Sequence, residues 1–259
     1  MTALLNANKV TVRFGGVTAV DEVSFAIEPG RLYGIVGPNG SGKTTLLNAL
    51  SRLQQLSSGE IAIDGQDVSN RGAAEAARLG VARTFQAIRL SASLTVKENV
   101  MVGADLVSGR AGVLARWLLL PGARRAEQSS GRVADEMLDR VGLLHAAKEY
   151  PSALPYGHQR RVEIARALAT NPRLLLLDEP TAGMNRSERD EIAKLMTQLR
   201  DDGMAQILVE HDLRMMMTVC EHLFMMNFGQ LITEGDPREV ANDPRVREAY
   251  LGHGRRGAA

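Results

Sequence analysis

Apolar and polar positions alternate along KVTVRF (9–14) and VDEVSFAIE (20–28), the two-residue period of strands buried on one face. RLYGIVG (31–37) and RLLLLDEP (173–180) are instead continuous apolar runs, as in strands covered on both faces. AQILVEHD (205–212) and HLFMMNFG (222–229) predict two more strands, and GEIAIDGQDV (59–68) a strand that turns at Asp64-Gly65. Helical spacing marks TTLLNALSRL (44–53), RSERDEIAKLMTQLRDD (186–202) and LRMMMTVCE (213–221). Strands alternating with helices predict an α/β fold with a mainly parallel sheet and crossover helices.

Residues 102–130 break the pattern, with small residues, arginines and an apolar cluster around Trp117. AGVLARWLLL (111–120) predicts a short helix stopped at Pro121-Gly122. We assign it to a helical subdomain inserted over about 88–160. The apolar cluster is expected to pack on that subdomain, a partner surface being the alternative. Residues 240–259 are expected to form a C-terminal tail, frayed at HGRRGAA.

At 259 residues and 44% hydrophobic content, the chain has enough core for one large α/β domain, with or without an inserted subdomain. A net charge of +1 and 4% aromatic residues supply neither a basic field nor a base-stacking surface, which argues against nucleic acid as a partner. No apolar run reaches the ~18 residues of a membrane span, so a role at a membrane has to run through a partner. MTALLNANKVTVRF, at the N-terminus, lacks the basic start and apolar core of a secretory signal. The single cysteine, Cys220, excludes an internal disulfide and fits a reducing compartment. In its apolar surroundings it reads as a small buried residue rather than a nucleophile.

Chemistry concentrates in two places. GPNGSGKTT (37–45) lies between a predicted strand and a predicted helix. Gly37, Gly40 and Gly42 let the backbone curl so that successive N–H groups point at phosphate oxygens. Pro38, Asn39, Ser41 and Thr45 complete the loop, and the helix N-terminus adds partial positive charge. Lys43 can reach β- and γ-phosphates, and Thr44 can offer a hydroxyl to Mg²⁺. In the second place, an apolar strand delivers Asp178 at its C-terminal end, where open sheets bind ligands. Asp178 can hold Mg²⁺, and Glu179 can polarise an attacking water.

With GHQRRVEIARAL (157–168) between these elements, the sequence resembles the ATP-binding-cassette family from Phe14 to about Gly252. The resemblance implies a single P-loop ATPase domain over 1–259: a RecA-like core with a mainly parallel sheet, an N-terminal antiparallel β subdomain, and the inserted helical subdomain. It implies that Phe14 stacks on adenine and that Gln86 senses the γ-phosphate and Mg²⁺. It further implies that His211 contacts the γ-phosphate. A core phenylalanine, a surface glutamine and a structural histidine are the plainer alternatives. In this family two subunits sandwich two ATP molecules, the phosphate loop of one facing the signature loop of the other.

At that signature loop the chain departs from Leu-Ser-Gly-Gly-Gln. Pro155, Tyr156 and His158 stand where serine, glycine and glutamine are usual, and only Leu154 and Gly157 fit. Pro155 removes a hydroxyl and a backbone donor. Gly157 and the N-terminus of a helix beginning near His158 keep the phosphate-binding physics. Asn185 stands where many members have aspartate, keeping hydrogen bonding but losing charge.

LPYGHQRRVEIARAL (154–168) with DEPTAGMN (178–185) resembles the ATPases of importers of branched-chain and related hydrophobic amino acids. ARTFQAIRL (82–90), the insert near 102–130 and the ending TEGDPREVANDPRVREAYLG (233–252) resemble the longer ATPase subunit of that subgroup. That subgroup implies an ATP- and Mg²⁺-dependent ATPase peripheral to the cytoplasmic face of a bacterial-type inner membrane. It implies two permease subunits, an extracytoplasmic solute-binding protein, and a second ATPase subunit, either identical or a shorter paralogue. Urea, short amides and aromatic acids are alternative solutes. A soluble cassette acting on ribosomes or DNA is the alternative of a different class.

Overall fold

The computed structural model describes residues 3–108 and 123–253. The described strands form two sheets. One is antiparallel, in the order β2 (Val17–Ile27), β1 (Leu5–Phe14), β4 (Ser58–Ile63), β5 (Gln66–Asp67). The other runs β10 (Gln230–Gly235), β9 (His222–Asn227), β3 (Leu32–Val36), β8 (Ala205–Val209), β7 (Leu174–Asp178), β6 (Val81–Arg83). All neighbours in it are parallel except β10, which pairs antiparallel with β9.

The continuous apolar runs follow from a sheet covered on both faces. Leu174 and Leu176 of β7 enter a core with Ile35, Ile207, Phe224 and residues of the antiparallel sheet. Leu175 and Leu177 enter a second core with Val36, Leu208 and Met225. The strand period of two sends alternate side chains to opposite faces, so a strand with two cores must be apolar throughout. Burying each leucine stabilises the fold by about 1.5–3 kcal/mol.

The helices α1 (Lys43–Leu50) and α2 (Ala73–Arg78) contribute to the first core. The second core spreads under α6 (Arg186–Asp201) and α7 (Leu213–Val219) and continues into a helical region. There α3 (Val96–Ser108), α4 (Ala123–Arg140) and α5 (Tyr156–Leu168) pack on one another. Trp117 and the helix expected over 111–120 lie outside the described residues.

Three boundaries differ from the sequence pattern for physical reasons. β1 starts at Leu5 rather than residue 9, because a bulge at Lys9 (φ 48°) interrupts its alternation. α1 stops at Leu50, and Arg52 is already left-handed (φ 57°). The segment expected as a tail is helical through His253, in α8 (Pro237–Asn242) and α9 (Pro244–His253). Val240, Val246 and Ala249 anchor it in the second core. Cys220 is buried, and burial pushes its thiol well above the usual range, as befits an inert packing residue. Among the described residues no helix is long and apolar enough to cross a membrane.

Candidate active site

Four segments meet at the C-terminal edge of the parallel strands. The glycine loop follows β3, Asp178 ends β7 with Glu179 next, His211 follows β8, and Gln86 follows β6. β8 lies between β3 and β7, and β6 flanks β7, so these ends are neighbours.

The loop's shape is enforced by space as well as by backbone angle. A β-carbon on Gly37 (φ 154°) would lie 2.2 Å from the Met226 carbonyl oxygen. One on Gly42 (φ 99°) would lie 2.2 Å from that of Ala19. α1 then begins at Lys43 with no side-chain cap, so its first-turn N–H groups are available to an anion. Lys43 is buried, and its ammonium donates to the carbonyls of Gly37 (2.8 Å) and Pro38 (2.9 Å). Burial holds this ammonium below the ordinary lysine value, partly offset by the charges of Glu179 and Asp178. A phosphate oxygen is a stronger partner for such a cation than a neutral carbonyl.

Thr44 Oγ1 donates to Asp178 Oδ1 at 3.4 Å. Asp178 is buried, and its Oδ2 pairs with Arg83 at 2.9 Å. Arg83 also donates to Asn48 Oδ1 (2.6 Å) and Ser51 Oγ (3.2 Å), and burial lowers its pKa. A hydroxyl beside one carboxylate is a hard-oxygen set that suits Mg²⁺, which takes few protein ligands and fills its shell from phosphates and water. No group of three or more His, Cys, Asp or Glu residues forms a metal cage among the described residues.

Glu179 adopts φ 46°, a left-handed conformation that costs a non-glycine residue about 1–3 kcal/mol. Its N–H is held by the Val209 carbonyl (2.9 Å). Its Oε2 accepts from Gln86 Nε2 at 2.7 Å, and its Oε1 lies 3.3 Å from His211 Nδ1. A carboxylate bracketed by an amide donor and an imidazole can orient and polarise a water. An open cavity of about 460 Å³ is walled by residues 39–45 with Ala19, Gln86, Glu179 and His211.

Phe14 and the signature residues are not among those walls. Phe14 ends β1 and is half exposed. α5 begins at Tyr156, two residues before the expected start at His158, with Pro155 as an uncapped N-cap. Tyr156 and Gly157 therefore belong to the first helical turn. A β-carbon on Gly157 would meet Glu188 Oε1 at 2.9 Å. Burial, then the Arg161 charge, holds the His158 imidazole below its usual pKa. Asn185 caps α6: its side chain accepts the Glu188 N–H (3.0 Å), and Glu188 accepts the Asn185 N–H (3.0 Å). Neither half of this exchange needs a carboxylate at 185.

Comparison with known proteins decides the family. The ABC transporter family profile matches residues 20–182, and the branched-chain amino acid ATP-binding cassette transporter profile matches residues 230–255. This chain belongs to the ABC transporter family. It is 38% identical to the high-affinity branched-chain amino acid transport ATP-binding protein LivG of Escherichia coli K12, over 96% of this chain and 98% of that one. Identity is 37%, with the same coverage, to the corresponding protein BraF of Pseudomonas aeruginosa. A solved ATP-binding cassette of an ABC transporter in its ADP conformation superposes with a TM-score of 0.84, at 30% identity, over 97% of this chain and all of that one. The chain is thus an ABC ATPase, a nucleotide-binding subunit of a transporter.

In this ABC ATPase three residues at the site carry no motif. Arg83 lies on a three-residue strand, too short for periodicity to reveal. Glu210 is buried and accepts from Thr181 N–H (2.9 Å) and Oγ1 (2.7 Å), pinning the chain just beyond Glu179. Its only sequence signal is a charge at the end of an apolar run. Tyr250, on α9, buries its hydroxyl where the Gly37 N–H approaches it without reaching full hydrogen-bond geometry.

Proposed function

We propose that this ABC ATPase is the ATP-hydrolysing subunit of an importer of branched-chain or related hydrophobic amino acids. The observation that carries the solute is the match of residues 230–255 to the branched-chain amino-acid cassette profile. In this reading adenine stacks on Phe14, and the loop from Gly37 to Thr45 cradles the phosphates. Lys43 neutralises β- and γ-phosphate charge. Thr44, Asp178 and Gln86 hold Mg²⁺, which supplies charge neutralisation on the phosphates when bound. Glu179 orients the attacking water, and His211 contacts the γ-phosphate. Pro155, Tyr156, Gly157 and His158 present the helix N-terminus to the nucleotide of a second ATPase subunit. Two permease subunits and an extracytoplasmic solute-binding protein complete the transporter, with the ATPase on the cytoplasmic face.

The test is leucine uptake by membranes bearing the partner permeases and binding protein. Uptake should require ATP and stop with Glu179→Gln, which should still bind ATP while kcat falls by about a hundredfold or more. Undiminished uptake by that variant overturns the role of Glu179. Transport of urea, a short amide or an aromatic acid in place of leucine overturns the solute.

A further inference from the structure

Arg160 is fully buried in α5, yet its guanidinium is spent on a different segment of the chain. Its Nη1 donates to the Phe85 carbonyl and its Nη2 to the Gln86 carbonyl, each at 2.5 Å. The same Nη1 pairs with buried Glu163 at 2.6 Å. Glu163 in turn accepts the Arg89 N–H at 3.3 Å, and Arg166 donates to the Arg89 carbonyl at 2.5 Å. Three residues one helical turn apart thus hold the backbone of 85–89 at both ends. At the start of α5, Tyr156 Oη lies 3.4 Å from Arg160 Nη2.

A buried ion pair contributes little net stability, because desolvating two charges offsets their attraction. The geometry points to another use. The planar fork of arginine fixes the spacing of two consecutive carbonyls, and so the plane of the peptide between Phe85 and Gln86. That peptide sets the direction in which the Gln86 side chain leaves, and Gln86 donates to Glu179 at 2.7 Å. A continuous path of contacts therefore runs from Tyr156 in the signature loop through Arg160 and Gln86 to Glu179.

We propose that Arg160 is a positioning residue for ATP hydrolysis, orienting Gln86 toward Glu179 and tying the signature loop to the reacting edge of the same subunit. This rests on the reading above in which Gln86 and Glu179 serve hydrolysis.

Steady-state Mg-ATP hydrolysis by the full-length chain tests it with two variants. Arg160→Lys keeps a charge beside Glu163 but cannot hold both carbonyls. Arg160→Met with Glu163→Met removes both charges of the fully buried pair, while Arg166, which loses its 3.6 Å partner Glu163, keeps its bond to the Arg89 carbonyl. Either should lower kcat roughly tenfold, with KM for ATP unchanged, because a misplaced group costs the reaction step rather than binding. Each is repeated with Gln86→Ala. If Arg160 acts through Gln86, the combined variant is no slower than Gln86→Ala alone. Losses that multiply, or a raised KM at unchanged kcat, overturn the proposal and leave the role of Gln86 standing. Full kcat in Gln86→Ala itself overturns that role, and the proposal with it.

Discussion

A β-carbon on Gly37 or Gly42 would strike a backbone carbonyl oxygen at 2.2 Å, whereas one on Gly157 would meet the tip of the Glu188 side chain at 2.9 Å. The phosphate loop enters its helix through Gly42, and the signature loop enters its helix through Pro155 with Gly157 in the first turn, and the walls around these glycines differ in kind. Around the phosphate loop the walls are strands β2 and β9, which cannot retreat without breaking the sheets. Around the signature loop the wall is a side chain that can rotate, and the loop is anchored from beneath by Arg160. The phosphate loop carries its glycine signal in its own nine residues and takes its walls from the rigid backbone of β2 and β9. The signature loop borrows its geometry from residues elsewhere in the chain.

The largest expected effects fall on the phosphate loop. Lys43→Ala removes a charge-assisted contact of about 3 kcal/mol and should weaken ATP binding about a hundredfold, read by calorimetric titration. Gly42→Ala should do comparable damage, since its φ of 99° and the Ala19 oxygen exclude a side chain together. Intact ATP affinity in either variant would erase the contrast between the loops.

Gly157→Ala should be far milder. Displacing Glu188 sacrifices half of the capping box on α6, while alanine in a helical turn regains about 1 kcal/mol over glycine. Thermal melting should shift by only a few degrees, about 1 kcal/mol either way, and ATP affinity should hold. A collapse of ATP affinity like that expected for Gly42→Ala would show that the signature loop is as unyielding as the phosphate loop.

Tyr250→Phe sharpens the contrast from outside both loops. The lost hydroxyl is buried without a full hydrogen bond, so stability should stay within about 0.5 kcal/mol. The change to look for is a small rise in KM for ATP, because Gly37 loses the group its N–H approaches.

Legibility followed the same division. The strand pattern was readable wherever a strand kept its period, and it failed at β1, where the bulge at Lys9 hides Leu5 and Ala7. Asn185 and Glu188 stand at capping-box spacing before an apolar-periodic run, a local signal that the sequence does contain. The missing carboxylate at 185 draws attention away from it. The tail after 240 carries too few apolar residues to predict burial, yet Val246 and Ala249 reach the core because α8 turns α9 back onto it.

The order of residues alone determined the glycine loop, the apolar strand ending in Asp178 and Glu179, and the family. These depend on backbone conformations and burial patterns set within a few neighbours. Only the tertiary structure decided what stands behind them. Arg83 reaches Asp178 across 95 residues, Arg160 reaches the Gln86 carbonyl across 74, and Tyr250 comes to Gly37 from the far end of the chain. Such contacts follow from which strand ends and helices the fold makes neighbours, and that adjacency leaves no period in the sequence.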